Sequence, residues 1–350
     1  VMSKPKNQMK YLNVNRYLLH KQSQVSDNIE ELEDKMETIL NNEIFGISFS
    51  PYLDGQDPSI KSLITQQQIA ERLEVIRPYT KWVRTFSCTC GNEEVPRIAH
   101  EKGLKTLVGA WIDDDLENNE LEITNAIQLA KEGHVDILAI GNEVLLREDL
   151  TVEELLEYIK RVKREVPHIQ IGYVDAYYMF VNYPEMIDAC DVLLANCYPF
   201  WEHCSLDISV DYMKKMYELV QKNSNGKKVI ISETGWPTKG EQYGAALPSY
   251  DNAMRYFINT MEWAKQDNVE VFYFSSFDEV WKICNQLKEL DNTVGIEMRA
   301  NDILGIEGGR KEKKENYGKL SEKEKKKKMK KFLPLRDEFY DKWDELSKPF

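Results

Sequence analysis

Two glutamates stand at the ends of apolar runs in this sequence, where a carboxylate is unusual. Glu143 follows the run at 137–140, and Glu233 follows the run at 229–231. A parallel strand buried on both faces reads as a nearly continuous hydrophobic run, so each glutamate is expected where the chain leaves a sheet. Two carboxyl groups facing one cleft can break a glycosidic bond, with retention at a separation of about 5–5.5 Å and inversion at about 6.5–9.5 Å.

The elements that must position these glutamates repeat along the chain. Apolar, mostly β-branched runs recur at intervals of roughly 20 to 40 residues, with amphipathic stretches between them. The eight runs are 44–49, 82–86, 106–111, 137–140, 169–174, 192–195, 229–231 and 271–274. Thr65 with Gln68 and Thr151 with Glu154 match the capping-box pattern that opens a helix.

Eight strand and helix repeats within about 240 residues predict a (β/α)8 TIM barrel, an α/β fold. A doubly wound open sheet is the alternative, but no Gly-rich turn follows the first run. The active site of such a barrel lies at the C-terminal ends of its strands. In the order of the runs, Glu143 ends strand four and Glu233 ends strand seven, so we expect both side chains to point across the barrel mouth.

The predicted domain organisation is a single catalytic barrel with two extensions. Residues 1–43 form a polar N-terminal extension in which 28–40 is a candidate amphipathic helix, the barrel spans 44–306, and 307–350 is a Lys-rich extension. The barrel also needs a helix after strand eight to close its outer layer. Segment 287–306 or segment 332–346 could supply that helix.

Charge and composition exclude several classes of protein. The net charge of −13 includes a basic tract at 309–331 with twelve Lys/Arg and four Glu, so the rest of the chain is strongly acidic. An acidic body argues against nucleic acid as the main partner and suits a neutral ligand. No apolar stretch is long enough to span a bilayer, and residues 1–30 contain no apolar segment of the signal-peptide type. None of the six cysteines has metal-ligand spacing with a histidine, and most are expected to be free thiols.

Several motifs together resemble glycoside hydrolase family 17, the β-1,3-glucanase family of retaining barrel glycosidases. Gly141-Asn142-Glu143-Val144 and Ser232-Glu233-Thr234-Gly235-Trp236-Pro237 resemble its paired signatures. Further segments resemble the family's first, second, sixth and eighth strands, at 46–52, 82–86, 196–200 and 277–282. The resemblance covers nearly seven tenths of the chain, in the family's order.

The resemblance implies a role for each matching residue. Glu143 would be the general acid/base and Glu233 the nucleophile, while Asn142 would bind the sugar 2-hydroxyl and Tyr198 would orient Glu233. The acid must stay protonated near neutral pH, and the nucleophile must stay ionised. The remaining residues expected to bind substrate or to tune the local field are Tyr52, Arg84, Trp236, Glu279, Trp281 and Lys282. Arg84, on strand two, could bind near Glu233 or pair structurally with a carboxylate.

The implied activity is hydrolysis of β-1,3-glucan by double displacement, without a metal or organic cofactor, because two carboxyl groups supply the chemistry. A β-1,3-glucanosyltransferase with the same two glutamates is one alternative, and a non-catalytic glucan-binding barrel is another. The expected partner is a β-glucan polysaccharide or oligosaccharide, the expected state is a monomer, and the resemblance implies a secreted or cell-surface location.

Aromatic residues also fall at or just after the strand ends, where they could line a sugar-binding cleft or pack in the core. They are Tyr52, Phe86, Trp111, Tyr178, Phe200, Trp201, Trp236 and Trp281. Asp113-Asp114-Asp115 follows strand three. It could bind a cation or sugar hydroxyls, or it could form a solvated loop.

Overall fold

The fold is a closed barrel of eight parallel strands, as the sequence predicts. The computed structural model describes residues 28–240, 242–277 and 279. Each strand pairs with the next, and β8 pairs with β1 to close the barrel. The strands are β1 (Ile44–Ser48), β2 (Thr80–Arg84), β3 (Lys105–Ala110), β4 (Ile137–Asn142), β5 (Gln170–Ala176), β6 (Val192–Asn196), β7 (Lys228–Thr234) and β8 (Val271–Tyr273).

Helices surround the barrel. They are α1 (Ile29–Asn41), α2 (Gln66–Ile76), α3 (Val95–Glu101), α4 (Leu116–Lys131), α5 (Val152–Glu165), α6 (Tyr177–Asn182), α7 (Pro184–Ala189), α8 (Leu206–Asn223) and α9 (Tyr250–Asp267). Both predicted capping boxes are present, at Thr65 before α2 and at Thr151 before α5. Among the described helices, none is long and apolar enough to cross a membrane.

Side chains fill the barrel interior, so its lower part is a packed core. Leu107, Ile137, Val174, Leu194, Ile230 and Phe272 belong to one buried cluster. Phe45 and Trp82 pack against it, stacked on each other with ring centroids 5.5 Å apart. Asn142, Asn196 and Glu233 lie beyond this apolar layer, at the C-terminal ends of their strands.

Helix α1 completes the outer layer. It occupies the segment predicted to be helical in the N-terminal extension, and it buries Leu32, Met36 and Leu40. It packs between α9 and the 3₁₀ turn Arg77–Tyr79 that ends α2, which is where the helix after strand eight lies in a regular barrel. These contacts join α1 to the barrel rather than to a separate extension. Both segments predicted to supply the closing helix, and the Lys-rich extension at 307–350, lie outside the described residues.

The cysteines of the described region are all free thiols, as expected. Cys88, Cys190, Cys197 and Cys204 are buried, and Cys90 is half-buried. Burial raises the pKa of the Cys190 thiol to about 12. A thiol that stays protonated is a poor nucleophile, so Cys190 acts as a small core residue.

Candidate active site

A cavity of about 1060 Å³ opens at the C-terminal ends of the strands. Glu143 directly follows β4, and Glu233 is the last residue but one of β7. Both side chains line this cavity. Its walls also include aromatic side chains, namely Tyr52, Phe86, Trp111, Tyr177, Tyr178, Tyr198, Trp201 and Phe274. The two predicted catalytic carboxyl groups therefore share one cleft.

Glu233 is held as a fixed carboxylate by one donor on each oxygen. Its Oε1 accepts from Arg84 Nη1 at 2.5 Å, and its Oε2 accepts from the Tyr198 hydroxyl at 2.8 Å. The residue is only 7 % exposed. Charge-assisted hydrogen bonds are short and geometrically specific, so the two donors fix the rotamer of the carboxylate, and a nucleophile requires such a fixed position.

Arg84 connects the two halves of the site from β2. Besides Glu233, its guanidinium donates to the Ser232 carbonyl at 3.1 Å and to Asn142 Oδ1 at 2.7 Å. It also lies 4.2 Å from the centroid of the Phe86 ring. With 2 % exposure, Arg84 is a buried framework residue whose charge faces the Glu233 carboxylate.

Glu143 stands on an irregular strand end. The pairing of β4 with β5 shifts register between Ala139 and Asn142, and Gly141 and Glu143 both have positive φ, at 87° and 55°. A left-handed conformation is uncommon for a residue other than glycine, and such backbone collects at functional sites. The shift points the Glu143 carboxyl into the cleft.

The surroundings of Glu143 favour its protonated form. Burial, and then the negative charge of Glu233, raise the pKa of Glu143 to about 7, against the opposing effects of a hydrogen bond from Asn196 and the charge of Arg147. The Asn196 side chain donates to Oε1 at 2.8 Å. The two carboxyl groups thus occupy opposite environments, one paired with a cation and one that retains its proton near neutrality.

Asn196 is a site residue that the sequence does not single out. It lies at the end of β6, and its Oδ1 accepts from Ser232 Oγ at 2.8 Å while its amide donates to Glu143. It therefore connects the strand that bears Glu233 to the Glu143 carboxyl. A polar residue directly after the apolar run 192–195 is the signal that could have found it.

Trp111 is fixed in the cleft wall by three contacts. Its indole N–H donates to Asp113 Oδ2 at 2.9 Å, its backbone N–H donates to Glu122 Oε2 at 3.1 Å, and the Arg147 guanidinium lies 4.8 Å from its ring centroid. Asp113 thus orients an aromatic side chain, and Asp115 caps α4. Both aspartates also line the cleft.

Glu122 is a buried carboxylate that organises two loops of the cleft. It is 1 % exposed and accepts from the hydroxyls of Ser87 and Thr89 and from the backbone N–H groups of Cys88 and Trp111. Replacement by alanine leaves these four donors without this acceptor, and two of the lost hydrogen bonds, those from Cys88 and Thr89, are buried. We expect Glu122→Ala to lower the free energy of unfolding by about 3 kcal/mol, measured by urea denaturation.

A matched control is available on the same helix. Glu120 pairs with Arg161 at the surface and is half exposed, so Glu120→Gln is expected to change the free energy of unfolding by less than about 1 kcal/mol. Equal losses for the two variants would show that the Glu122 contacts do not stabilise these loops.

The other predicted binding residues divide into three groups. Tyr52 and Glu279 line the cleft, and the Tyr52 hydroxyl accepts from Asn92 at 3.0 Å. Trp236, predicted to bind substrate, is fully buried, and its indole N–H donates to the Leu247 carbonyl. Its ring packs on Phe200 and Tyr256, so it supports the end of β7 and has no face to offer a sugar. Trp281 and Lys282 lie outside the described residues.

Within the part of the chain that the structure describes, no group of three or more His, Cys, Asp or Glu side chains is arranged to hold a metal ion.

Comparisons with known proteins converge on the same region. The family model of the BtgE/BtgC glycoside hydrolase domain matches residues 46–294. A glucan 1,3-β-glucosidase of Candida albicans is 27% identical over 233 residues, which cover 60% of this chain and 76% of that protein. Two structures of a β-1,3-glucanosyltransferase from Rhizomucor miehei, one of them an active-site mutant in complex with laminaritriose, are 30% identical, with a TM-score of 0.64. The matched region covers 73% of this chain and 93% of that protein, which is described as a member of glycoside hydrolase family 17.

Proposed function

The chain belongs to glycoside hydrolase family 17, and from this membership we propose that it cleaves β-1,3-glucan with retention of configuration. The observation that carries the proposal is the unequal environment of two carboxyl groups in one cleft. Glu233 is paired with Arg84 and Tyr198, whereas burial keeps Glu143 protonated up to about pH 7. A retaining glycosidase needs this combination of an ionised nucleophile and a protonated acid.

The reaction then proceeds in two displacements. In the first, Glu233 attacks the anomeric carbon while Glu143 gives its proton to the glycosidic oxygen, so the C–O bond breaks and a glycosyl ester forms on Glu233. In the second, the Glu143 carboxylate takes a proton from water, whose oxygen attacks the anomeric carbon and releases Glu233. The two carboxyl groups are sufficient for this chemistry.

Other cleft residues suit a neutral sugar chain. The Asn142 amide oxygen is occupied by Arg84, which orients the amide so that its NH2 group can donate to the 2-hydroxyl of the reacting sugar. Tyr178, Trp111 and Trp201 line the cleft and offer aromatic surface for the apolar C–H faces of glucose rings. The site is thus suited to a polymer that carries hydroxyls but no charge.

A glucanosyltransferase is the second candidate, and the Rhizomucor miehei similarity favours it. In that reaction the hydroxyl of a second glucan chain replaces water in the second displacement, and Glu143 again takes the proton. The same two glutamates serve both reactions. The balance between them depends on how well the cleft binds an acceptor sugar beyond Glu143.

Laminari-oligosaccharides of defined length separate these functions. The purified protein is incubated with laminaripentaose, products are resolved by chromatography, and the configuration of the first product is read by proton NMR. Shorter products with β configuration support the hydrolase, and longer products support the transferase. Binding without any product, or a first product of α configuration, would overturn the proposed retaining enzyme.

The pKa of Glu143 predicts a pH profile. Because Glu143 must be protonated to act as the acid, kcat/KM for laminaripentaose is expected to fall above an apparent pKa of about 7, by about tenfold per pH unit. A 2,4-dinitrophenyl β-laminaribioside needs no proton on its leaving group, so its kcat/KM should lack this alkaline limb. A laminaripentaose profile that stays flat to pH 9 would contradict the assignment of Glu143 as the acid.

A further inference from the structure

The turn that carries Glu143 is bound along its length by strand β5. The Glu143 backbone N–H donates to the Val174 carbonyl at 2.8 Å, and the Leu145 N–H donates to the Tyr173 hydroxyl at 3.0 Å. The Leu146 N–H binds the Asp175 carboxyl. Three N–H groups of a four-residue turn are thus held by three successive residues of β5.

Tyr173 and Asp175 act as one unit. The Tyr173 hydroxyl, which accepts from Leu145, donates in turn to Asp175 Oδ2, and Asp175 Oδ1 accepts from the Ala176 N–H at 2.7 Å. Both side chains are buried, at 1 % and 0 % exposure. Neither belongs to the cleft wall, so their effect on a substrate must pass through the turn.

The turn needs this support because its backbone is unfavourable. Glu143 has a φ of 55°, and a left-handed conformation is unfavourable for a residue with a Cβ atom. Such a conformation persists only where the surroundings determine it. The hydrogen bonds from β5 hold the backbone of the turn in this conformation, on the side of the turn away from the cleft.

We propose that Tyr173 and Asp175 are positioning residues for the general acid, holding turn 143–146 so that the Glu143 carboxyl reaches the glycosidic oxygen. The inference rests on the proposed function, because it assigns a purpose to the position of Glu143. A positioning role differs from that of core residues that only stabilise the barrel. Loss of Tyr173 or Asp175 should impair proton donation by Glu143 more than nucleophilic attack by Glu233.

The electrostatics of the pair fit this arrangement. Burial, and then the charge of Glu143, raise the pKa of Asp175 to about 8. The hydrogen bonds that its oxygens accept from Tyr173, Ala176 and Leu146 oppose this rise and hold the carboxyl group beneath the turn. Tyr178 of α6 also faces this region, and burial raises its pKa to about 12, so it is neutral at pH 7.

Two donors, one that needs a proton on its leaving group and one that does not, test the proposal. For Tyr173→Phe we expect kcat/KM for laminaripentaose to fall by about tenfold or more, while kcat/KM for 2,4-dinitrophenyl β-laminaribioside changes by less than about threefold. Asp175→Asn has nearly the same volume as the native residue and is measured in the same way, which covers the case in which Tyr173→Phe does not fold. Tyr217→Phe, at a half-buried residue of α8 whose ring packs on Trp263 of α9, is the matched control and should leave both values unchanged.

The outcomes separate this inference from the proposed function. A selective fall on laminaripentaose supports the positioning role. An equal fall in kcat/KM on both donors, or no fall on either, overturns the positioning role. The proposed function still stands in that case, because the wild-type protein cleaves the donors. Failure of the wild-type protein to cleave either donor would instead contradict the proposed function itself.

Discussion

Replacement of Glu233 by glutamine is expected to lower kcat for laminaripentaose by at least about 10⁴-fold, because no nucleophile remains to form the glycosyl ester. Glutamine has nearly the same shape, and its amide oxygen can still accept from Arg84. The loss should therefore reflect chemistry rather than a rearranged cleft. Initial rates are measured on protein whose circular dichroism and unfolding midpoint have been checked, since a buried arginine loses its charged partner.

The covalent intermediate gives an independent measurement. A 2-deoxy-2-fluoro-β-laminaribiosyl donor with a dinitrophenyl leaving group should label the wild-type protein once, and the labelled peptide should contain Glu233. The control is Glu202→Gln, which alters another carboxylate of the cleft wall, bonded to the hydroxyls of Tyr177 and Tyr212. This variant should be labelled and lose less than about 100-fold in kcat. A label on any other carboxylate would contradict the assignment of Glu233.

Local sequence patterns were sufficient to predict the barrel and its two strand-end glutamates. A buried parallel strand is a short apolar run, and a capping box marks a helix start through contacts only three residues apart. Both signals depend on neighbours in the chain. This is why all eight strands and both capping boxes lie where the sequence predicts.

The sequence could not predict contacts that depend on closure of the barrel. Helix α1 reaches α9 only because β8 pairs with β1. The motifs left open whether Arg84 lies near Glu233 or pairs structurally with a carboxylate. In the closed barrel only β8 and β1 separate β7 from β2, and Arg84 forms its ion pair with Glu233 itself. Trp236 follows Glu233 by three residues, yet its ring turns into the core. Membership of a motif therefore did not determine which way this side chain points.

Asp175 shows what the strand-end rule could have found. It directly follows the apolar run 169–174, as Glu143 and Glu233 follow theirs, and it is fully buried. The register shift between Ala139 and Asn142 could not be predicted, because a bulge leaves no periodic signal in a run as short as 137–140. The position of the Glu143 carboxyl group therefore became known only from the structure.

Replacement of Glu143 by glutamine is expected to have an effect that depends on the leaving group. Glutamine still accepts from Asn196 but has no acidic proton. We expect kcat/KM for laminaripentaose to fall by about 10³- to 10⁴-fold, and kcat/KM for 2,4-dinitrophenyl β-laminaribioside to stay within about threefold of the wild-type value. With the second donor, kcat itself should fall, since the second displacement has lost its base.

Azide tests the second displacement directly, because it attacks the glycosyl ester without a general base. In Glu143→Ala the shortened side chain leaves room for azide beside Asn196, so azide should raise kcat for the dinitrophenyl donor and yield a β-glycosyl azide. The β configuration of the azide product is diagnostic. It requires that the ester forms at Glu233 on one face of the sugar ring and that azide then attacks the anomeric carbon from the opposite face. An α-glycosyl azide, or equal losses of kcat/KM on both donors, would contradict the division of roles between Glu143 and Glu233.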